Sequence, residues 1–242
     1  MKEQRWWATA ILIGAVIGLV CLPLGAIGTS LGVWGFQLGL GLVAIGAALG
    51  ALALLTGFIA LIVTFAKRLT GERATIAVAL ILSAVVVGVV GSQAVKGRGV
   101  PAIHDITTDT ADPPQFNRVV ALRGPDSNPL TYDAKTLPAL QAEAYPDVQS
   151  LVTDESPGEI FSRARGVLDR MGLELVNVDG DAGVIEATDT TFWFGFKDDV
   201  VVRVRQADGG GSIVDIRSVS RVGVSDLGVN AGRIRAVLQE LR

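Results

Sequence analysis

The chain has 242 residues, half of them hydrophobic, and a formal net charge of −3. Residues 1–99 hold seven of its 21 basic and two of its 24 acidic side chains, which leaves the remainder at −8. Such an acidic stretch excludes nucleic-acid binding through phosphate contacts, which need a basic face. The single cysteine, Cys21, excludes an intrachain disulfide and any cysteine-based catalytic or zinc site in the later part.

Trp6 to Ala66 carries no Asp, Glu, Lys, Arg or His, and neither does Ala74 to Val95. A bilayer is crossed by about 20 apolar residues, so the first tract must fold back. The spacing predicts three transmembrane helices, over about 6–28, 38–65 and 74–95, in a membrane region of residues 1–95. The break falls in the Gly-rich stretch 28–37, and Pro23 is expected to kink or end the first helix. A secretory signal peptide is the weaker reading, because the apolar tract is too long for one and further spans follow. Lys2 and Arg5 flank the first span, and Lys67, Arg68 and Arg73 lie between the second and third. By the positive-inside rule both flanks are cytoplasmic. The protein is then a multi-pass protein of the cytoplasmic (inner) membrane, with its C-terminal domain extracytoplasmic or periplasmic. Gly14 and Gly18, Gly35 and Gly39, and Gly46 and Gly50 recur at four-residue spacing. Such pairs let helices approach closely in lipid, within one chain or between copies. The spans hold no ionisable side chain, so they read as an anchor rather than a transport path.

Residues 96–146 contain seven of the nine prolines and predict an extended connector that packs in part on the following domain. Residues 147–242 form the soluble domain. Strands are expected over 148–152, 173–178, 184–190, 199–206 and 212–222. A helix starts at Ser156-Pro157-Gly158-Glu159 and stops at Gly172. A last amphipathic helix is marked by Leu227, Ala231, Ile234, Leu238 and Leu241. The order is β-α-β-β-β-β-α, an α+β class with an antiparallel sheet and two helices on one face. In the last hairpin, pairing Val204 with Val214 sets Arg203 opposite Asp215. Strand alternation then makes Asp215, Arg217 and Arg221 solvated outer residues.

Three segments carry a resemblance: "PAIHDITTDTADPP" (101–114), "FWFGFKDDVVVRVR" (192–205) and "SIVDIRSVSRVGVSDLGVNAGRIRA" (212–236). Across about residues 100–242 the chain resembles domain-of-unknown-function family 1499. The resemblance implies attachment to N-terminal membrane spans and no established chemistry. The strand and helix order also looks like the helix-grip layout of some envelope lipoproteins, a likeness of fold that licenses no function.

Ser218 and Ser220 fall on the inward face of the last strand, and Asn230 falls inside the apolar stripe of the last helix. The three are expected to converge, with Ser225 or Asp226 capping the helix. They form either a satisfied polar core or, together with Asp226, Trp193 and Phe194, a ligand site. Phe192, Trp193, Phe194 and Phe196 make half of the eight aromatics after residue 100, which suits a core or an apolar contact surface. Asp105, Asp109 and Asp112 supply oxygen ligands suited to calcium, though their spacing departs from an EF-hand and ordinary turn chemistry explains it too. His104 beside Asp105 has no nucleophile placed by spacing, so a structural role is expected and no residue is assigned as catalytic. No cofactor is indicated.

These readings favour a membrane-anchored cell-envelope domain, non-catalytic, that binds a protein partner or a small apolar ligand. One alternative is a hydrolase or lyase using Asp198, Asp199 or Asp226. Another is a structural envelope protein that assembles through its spans. The bilayer is the one partner expected under all three.

Overall fold

The computed structural model describes residues 5–242, so Lys2 lies outside the described residues. The chain divides into two compact units, Met1–Arg98 with Phe192–Gly195, and Gly99–Thr191 with Phe196–Arg242.

The first unit is built from helices α1 (Trp6–Ser30), α2 (Phe36–Ala66) and α3 (Arg73–Lys96). All three are long and apolar enough to cross a membrane. Pro23 lies inside α1, and the helix runs past it to Ser30. A membrane helix tolerates the missing donor because neighbouring groups satisfy the freed carbonyl. The chain leaves the helix at 31–35, inside the Gly-rich stretch 28–37. Glycine sets the helix spacing. A Cβ on Gly25 would stand 2.4 Å from the Gly39 carbonyl oxygen, and one on Gly46 would stand 2.7 Å from that of Gly18. A Cβ on Gly50 would meet Val86 of α3 at 2.5 Å. Gly18, Gly39, Gly46 and Gly50 are thus used in packing the three helices of one chain, while nothing approaches Gly14.

The second unit is one antiparallel sheet in the order β1-β6-β5-β4-β3. Its strands are β1 (Asp105–Thr107), β2 (Leu151–Thr153), β3 (Glu174–Asp179), β4 (Val184–Thr190), β5 (Lys197–Gln206) and β6 (Ser212–Ser220). β1 and β2 share one edge of β6, opposite Arg217–Val219 and Ser212–Val214 respectively. Helices α5 (Pro157–Arg170) and α6 (Val229–Leu241) lie on one face. Between them and the sheet is the core, with Ile160, Val167, Leu168, Ile234 and Leu238 against Ile185, Val200, Val202, Val214 and Ile216. The soluble order is the β-α-β-β-β-β-α read from periodicity, with β1 added ahead of it.

That addition comes from the connector. Besides β1 it forms a 3-10 turn at Val119–Leu122 and helix α4 (Leu137–Ala144), with Pro138 in the first turn where its missing donor costs nothing. The connector covers the outer face of the sheet, and this overturns the expectation that Asp215 and Arg217 are solvated. The hairpin register is as derived, Val204 opposite Val214 and Arg203 opposite Asp215. Yet Asp215 and Arg217 are both 0 % exposed. Arg217 makes two bonds to Asp105, from Nε at 2.9 Å and Nη2 at 2.7 Å, and donates to the carbonyls of Pro114 and Leu130. The rings of Phe116 and Tyr132 lie against its guanidinium at 5.4 and 5.5 Å. Burial pushes the Tyr132 hydroxyl up to about 12, so that ring stays neutral beside the pair.

Replacing Arg217 with Met strands the Asp105 carboxylate in the interior. The expected loss of unfolding free energy is about 3–5 kcal/mol, and a second change, Asp105→Leu, should recover much of it. Denaturant unfolding of the detergent-purified chain measures both. A single-variant loss below about 1 kcal/mol, the worth of a surface pair, would contradict the buried assignment.

Candidate functional site

The two faces of the sheet carry separate polar systems, because side chains alternate along each strand. On the helix side, Ser218 and Ser220 of β6 meet Asn230 of α6. The Ser218 hydroxyl donates to Asn230 Oδ1 at 2.6 Å, and Asn230 Nδ2 donates to Ser220 Oγ and to the His104 carbonyl, each at 3.0 Å. The convergence expected from alternation and helical spacing is present, and Asn230 is wholly buried. His104 takes part through its backbone: its carbonyl also accepts the Ser220 N–H at 3.0 Å, tying the connector to β6.

A residue not singled out in the sequence completes the cluster. Arg233 donates to Ser218 Oγ at 2.9 Å and to Asn230 Oδ1 at 2.6 Å. Its other nitrogens reach Asp189 at 2.5 Å and Asp198 at 2.8 Å. The signal for it was available, since Arg233 follows Asn230 by three residues and so lies on the same buried helix face. Each named polar group of the cluster has a partner, as buried polar groups require.

Asp226 stands beside this cluster, two residues before Gly228, the N-cap of α6. Its Oδ1 accepts the Gly228 N–H at 2.9 Å and its Oδ2 the Asn230 N–H at 2.6 Å, two of the amides that the start of α6 leaves without helical partners. Burial raises its carboxyl above the ordinary range, against the pull of those two amides.

On the connector side the carboxylates are met by arginine or by backbone amides. Asp199 lies between Arg123 and Arg221, which donates Nη2 to Oδ1 at 2.8 Å, and accepts the Thr188 hydroxyl at 2.9 Å. Asp215 Oδ2 takes Arg203 at 2.9 Å and Arg205 at 2.7 Å. Glu186 accepts the N–H groups of Asn117, Arg118 and Val119, where the 3-10 turn begins. A carboxylate at a helical N-terminus is favoured by the amides pointing out of it.

Two groups of candidate carboxylates are placed by the structure. Asp198 and Asp199 are neighbours in the sequence. They lie within β5, pointing to opposite faces, so they cannot act together as an acid–base pair. Asp105, Asp109 and Asp112 are each met by an arginine. Asp105 is spent on Arg217, whereas Asp109 and Asp112 face Arg203. Among the described residues no three of His, Cys, Asp or Glu are placed to hold a metal.

The aromatic run divides. Phe192 and Trp193 are 87 % and 62 % exposed, so those two are not core. Phe194 and Phe196 are only partly exposed. The segment is a pinned tip between β4 and β5. The Thr191 N–H donates to the Phe196 carbonyl at 2.8 Å, and the Phe196 N–H donates to Thr191 Oγ1 at 2.9 Å.

A protein-family model described as "Protein of unknown function (DUF1499)" matches residues 105–241, more than half of the chain. Comparison with the curated proteins gave no match.

Asn230→Leu should remove about 1–3 kcal/mol of stability, because the Ser218 hydroxyl loses its acceptor, Ser220 Oγ loses its donor and Arg233 loses one of its acceptors. Thermal or denaturant unfolding tests this, and an unchanged midpoint would contradict it. Asp226 yields a pH dependence. A carboxyl raised in the folded state stabilises the fold while protonated. That contribution is complete below the ordinary pKa of about 3.9 and is lost as pH rises through the folded value. The stability of the wild type relative to Asp226→Asn should therefore fall over that interval. A relative stability that rises instead would show that the two amides outweigh burial.

Proposed function

The chain belongs to the DUF1499 family of proteins of unknown function, and from that premise we propose that it is a membrane-anchored, non-catalytic contact module. Its soluble domain is held outside the cytoplasmic membrane and works through the apolar end of its sheet. The observation that carries this reading is the contrast between spent polar groups and displayed apolar ones. Asp198, Asp199 and Asp226, on which a hydrolase or lyase would rely, are engaged by Arg233, by Arg123 and Arg221, and by the start of α6. Phe192 and Trp193 are instead held out on a pinned tip. Self-assembly through the spans draws less support, because four of its six candidate glycines pack inside one chain.

Orientation rests on the cations. Arg5 precedes α1, and Lys67, Arg68 and Arg73 lie between α2 and α3, so the positive-inside rule puts those ends in the cytoplasm and the chain after Val95 outside. Alkaline phosphatase fused after Val95 should be active, and a reporter that works only in the cytoplasm should be silent there. The reverse pair of results would overturn the orientation.

The contact reading predicts that a photo-crosslinking side chain at Trp193 yields a defined adduct in native membranes, while the same group at Asp208 yields none. Equal, diffuse labelling at both positions would sink it. Turnover in a broad hydrolase screen, abolished by Asp226→Asn in protein that remains folded, would promote the enzymatic alternative in its place.

A further inference from the structure

The apolar end of the sheet has a chemical partner that connectivity identifies. β5 starts at Lys197 and β6 ends at Ser220, and the two are neighbours, with the Arg221 N–H donating to the Lys197 carbonyl at 2.9 Å. The 191–196 tip and the 221–228 loop therefore leave the sheet at the same end. The connector joins there as well, since Asp105 is opposite Val219. Four large apolar residues are exposed in these two loops: Phe192 at 87 %, Trp193 at 62 %, Val224 at 77 % and Leu227 at 48 %. Leu227 is held at φ 54, a left-handed conformation that strains a non-glycine residue. The turns at the other end, residues 180–183 and 207–211, are built from Gly, Asp and Ala.

The tether is short. The last apolar helix ends at Lys96. Pro101, Ile103 and His104 are already fixed to the domain through their carbonyls, which accept from Ser225 Oγ, the Asp226 N–H and the Ser220 N–H. The five residues from Lys96 to Pro101 reach at most about 18 Å. The length of this tether bounds how far Pro101 can lie from the last residue of α3.

We propose that the Phe192–Trp193 tip, with Val224 and Leu227, inserts into the interfacial layer of the bilayer that holds the chain's helices. The inference rests on the contact reading above and names its partner as the lipid surface. Indole and phenyl rings favour that layer, where an apolar body and a polar edge are both accommodated. The tip is ordered before it inserts: hydrogen bonds brace both of its ends, and the two rings pack edge to face at 5.3 Å. Little conformational freedom is lost on contact. Charge does not drive the contact, because the acidic domain is not attracted to anionic headgroups. The contact is therefore insensitive to salt.

The test uses the full chain in phosphatidylcholine vesicles, in a Cys21→Ala background. An environment-sensitive fluorophore is attached at Phe192→Cys, at Val224→Cys, or at Asp208→Cys in the opposite turn. Lipid carrying a nitroxide high on its acyl chain should quench the labels at 192 and 224 several-fold more than the label at 208. Aqueous iodide should show the reverse order, and high salt should change neither. Labels at 192 and 224 as open to iodide as that at 208 would overturn the insertion. The crosslinking at Trp193 in native membranes then separates the two readings. A protein adduct beside iodide-open labels sinks the lipid inference and leaves the contact module standing, whereas no adduct and open labels sink both. The two exposed sites guard against one variant failing to fold.

Discussion

A guanidinium with no solvent exposure needs a carboxylate, carbonyls and flat surfaces around it, and Arg217 has all three. Taking such a pair out of water costs several kcal/mol, and removing one partner costs more than the pair contributes. The connector is therefore a required part of the domain. Asp105, Pro114, Phe116, Leu130 and Tyr132 all lie within it, and each contributes a contact to this one side chain. The short strand β1 follows from the same demand, since the bidentate pair holds Asp105 beside β6 and backbone pairing to Val219 completes the placement.

The pattern repeats across the outer face. Asp199, Asp215 and Glu186 are each wholly buried and each is met by arginines or by the amides of a 3-10 turn. Apolar packing specifies a fold loosely, because many hydrophobic arrangements fill a core about equally well. Matching charges across a buried face is far more restrictive, since one wrong register leaves several charges unpaired. The domain thus has an apolar core on the helix side and a charge-matched core on the connector side. The second explains how so proline-rich a segment settles into a single arrangement.

The helix side was legible in the sequence. Val214, Ile216, Ser218 and Ser220 alternate, Asn230 falls in the stripe of α6, and these two periodicities suffice to place the hydroxyls and the amide together. Arg233 was legible by the same rule but was masked by its charge, which ordinarily marks a solvated position. The outer face was not legible. Asp215, Arg217 and Arg221 alternate as surface residues do, and nothing in their spacing reveals a lid supplied by residues about 100 positions earlier. The only local hint was the length of the connector, too long to be an idle link. The aromatic run was open in the sequence between a core and a contact surface, since composition alone does not separate them. In the structure Phe192 and Trp193 are exposed between the hydrogen-bonded Thr191 and Phe196.

The two units exclude water by different means. Between α1, α2 and α3, close approach comes from glycine, because in lipid no hydrophobic force draws helices together and backbone contact must supply the attraction. In the soluble unit, burial of Val, Ile and Leu beneath α5 and α6 drives folding, and ion pairs fix the connector over the other face. Among the large apolar side chains left exposed are Phe192, Trp193, Val224 and Leu227, in the two loops at one end of the sheet. These four lie in loops at the end where the connector joins, whereas the turns at the other end are built of Gly, Asp and Ala. The charge-matched lid adds to this contrast: it consumes carboxylates and arginines of the sheet in internal pairs, while the side chains exposed in those loops include large apolar ones.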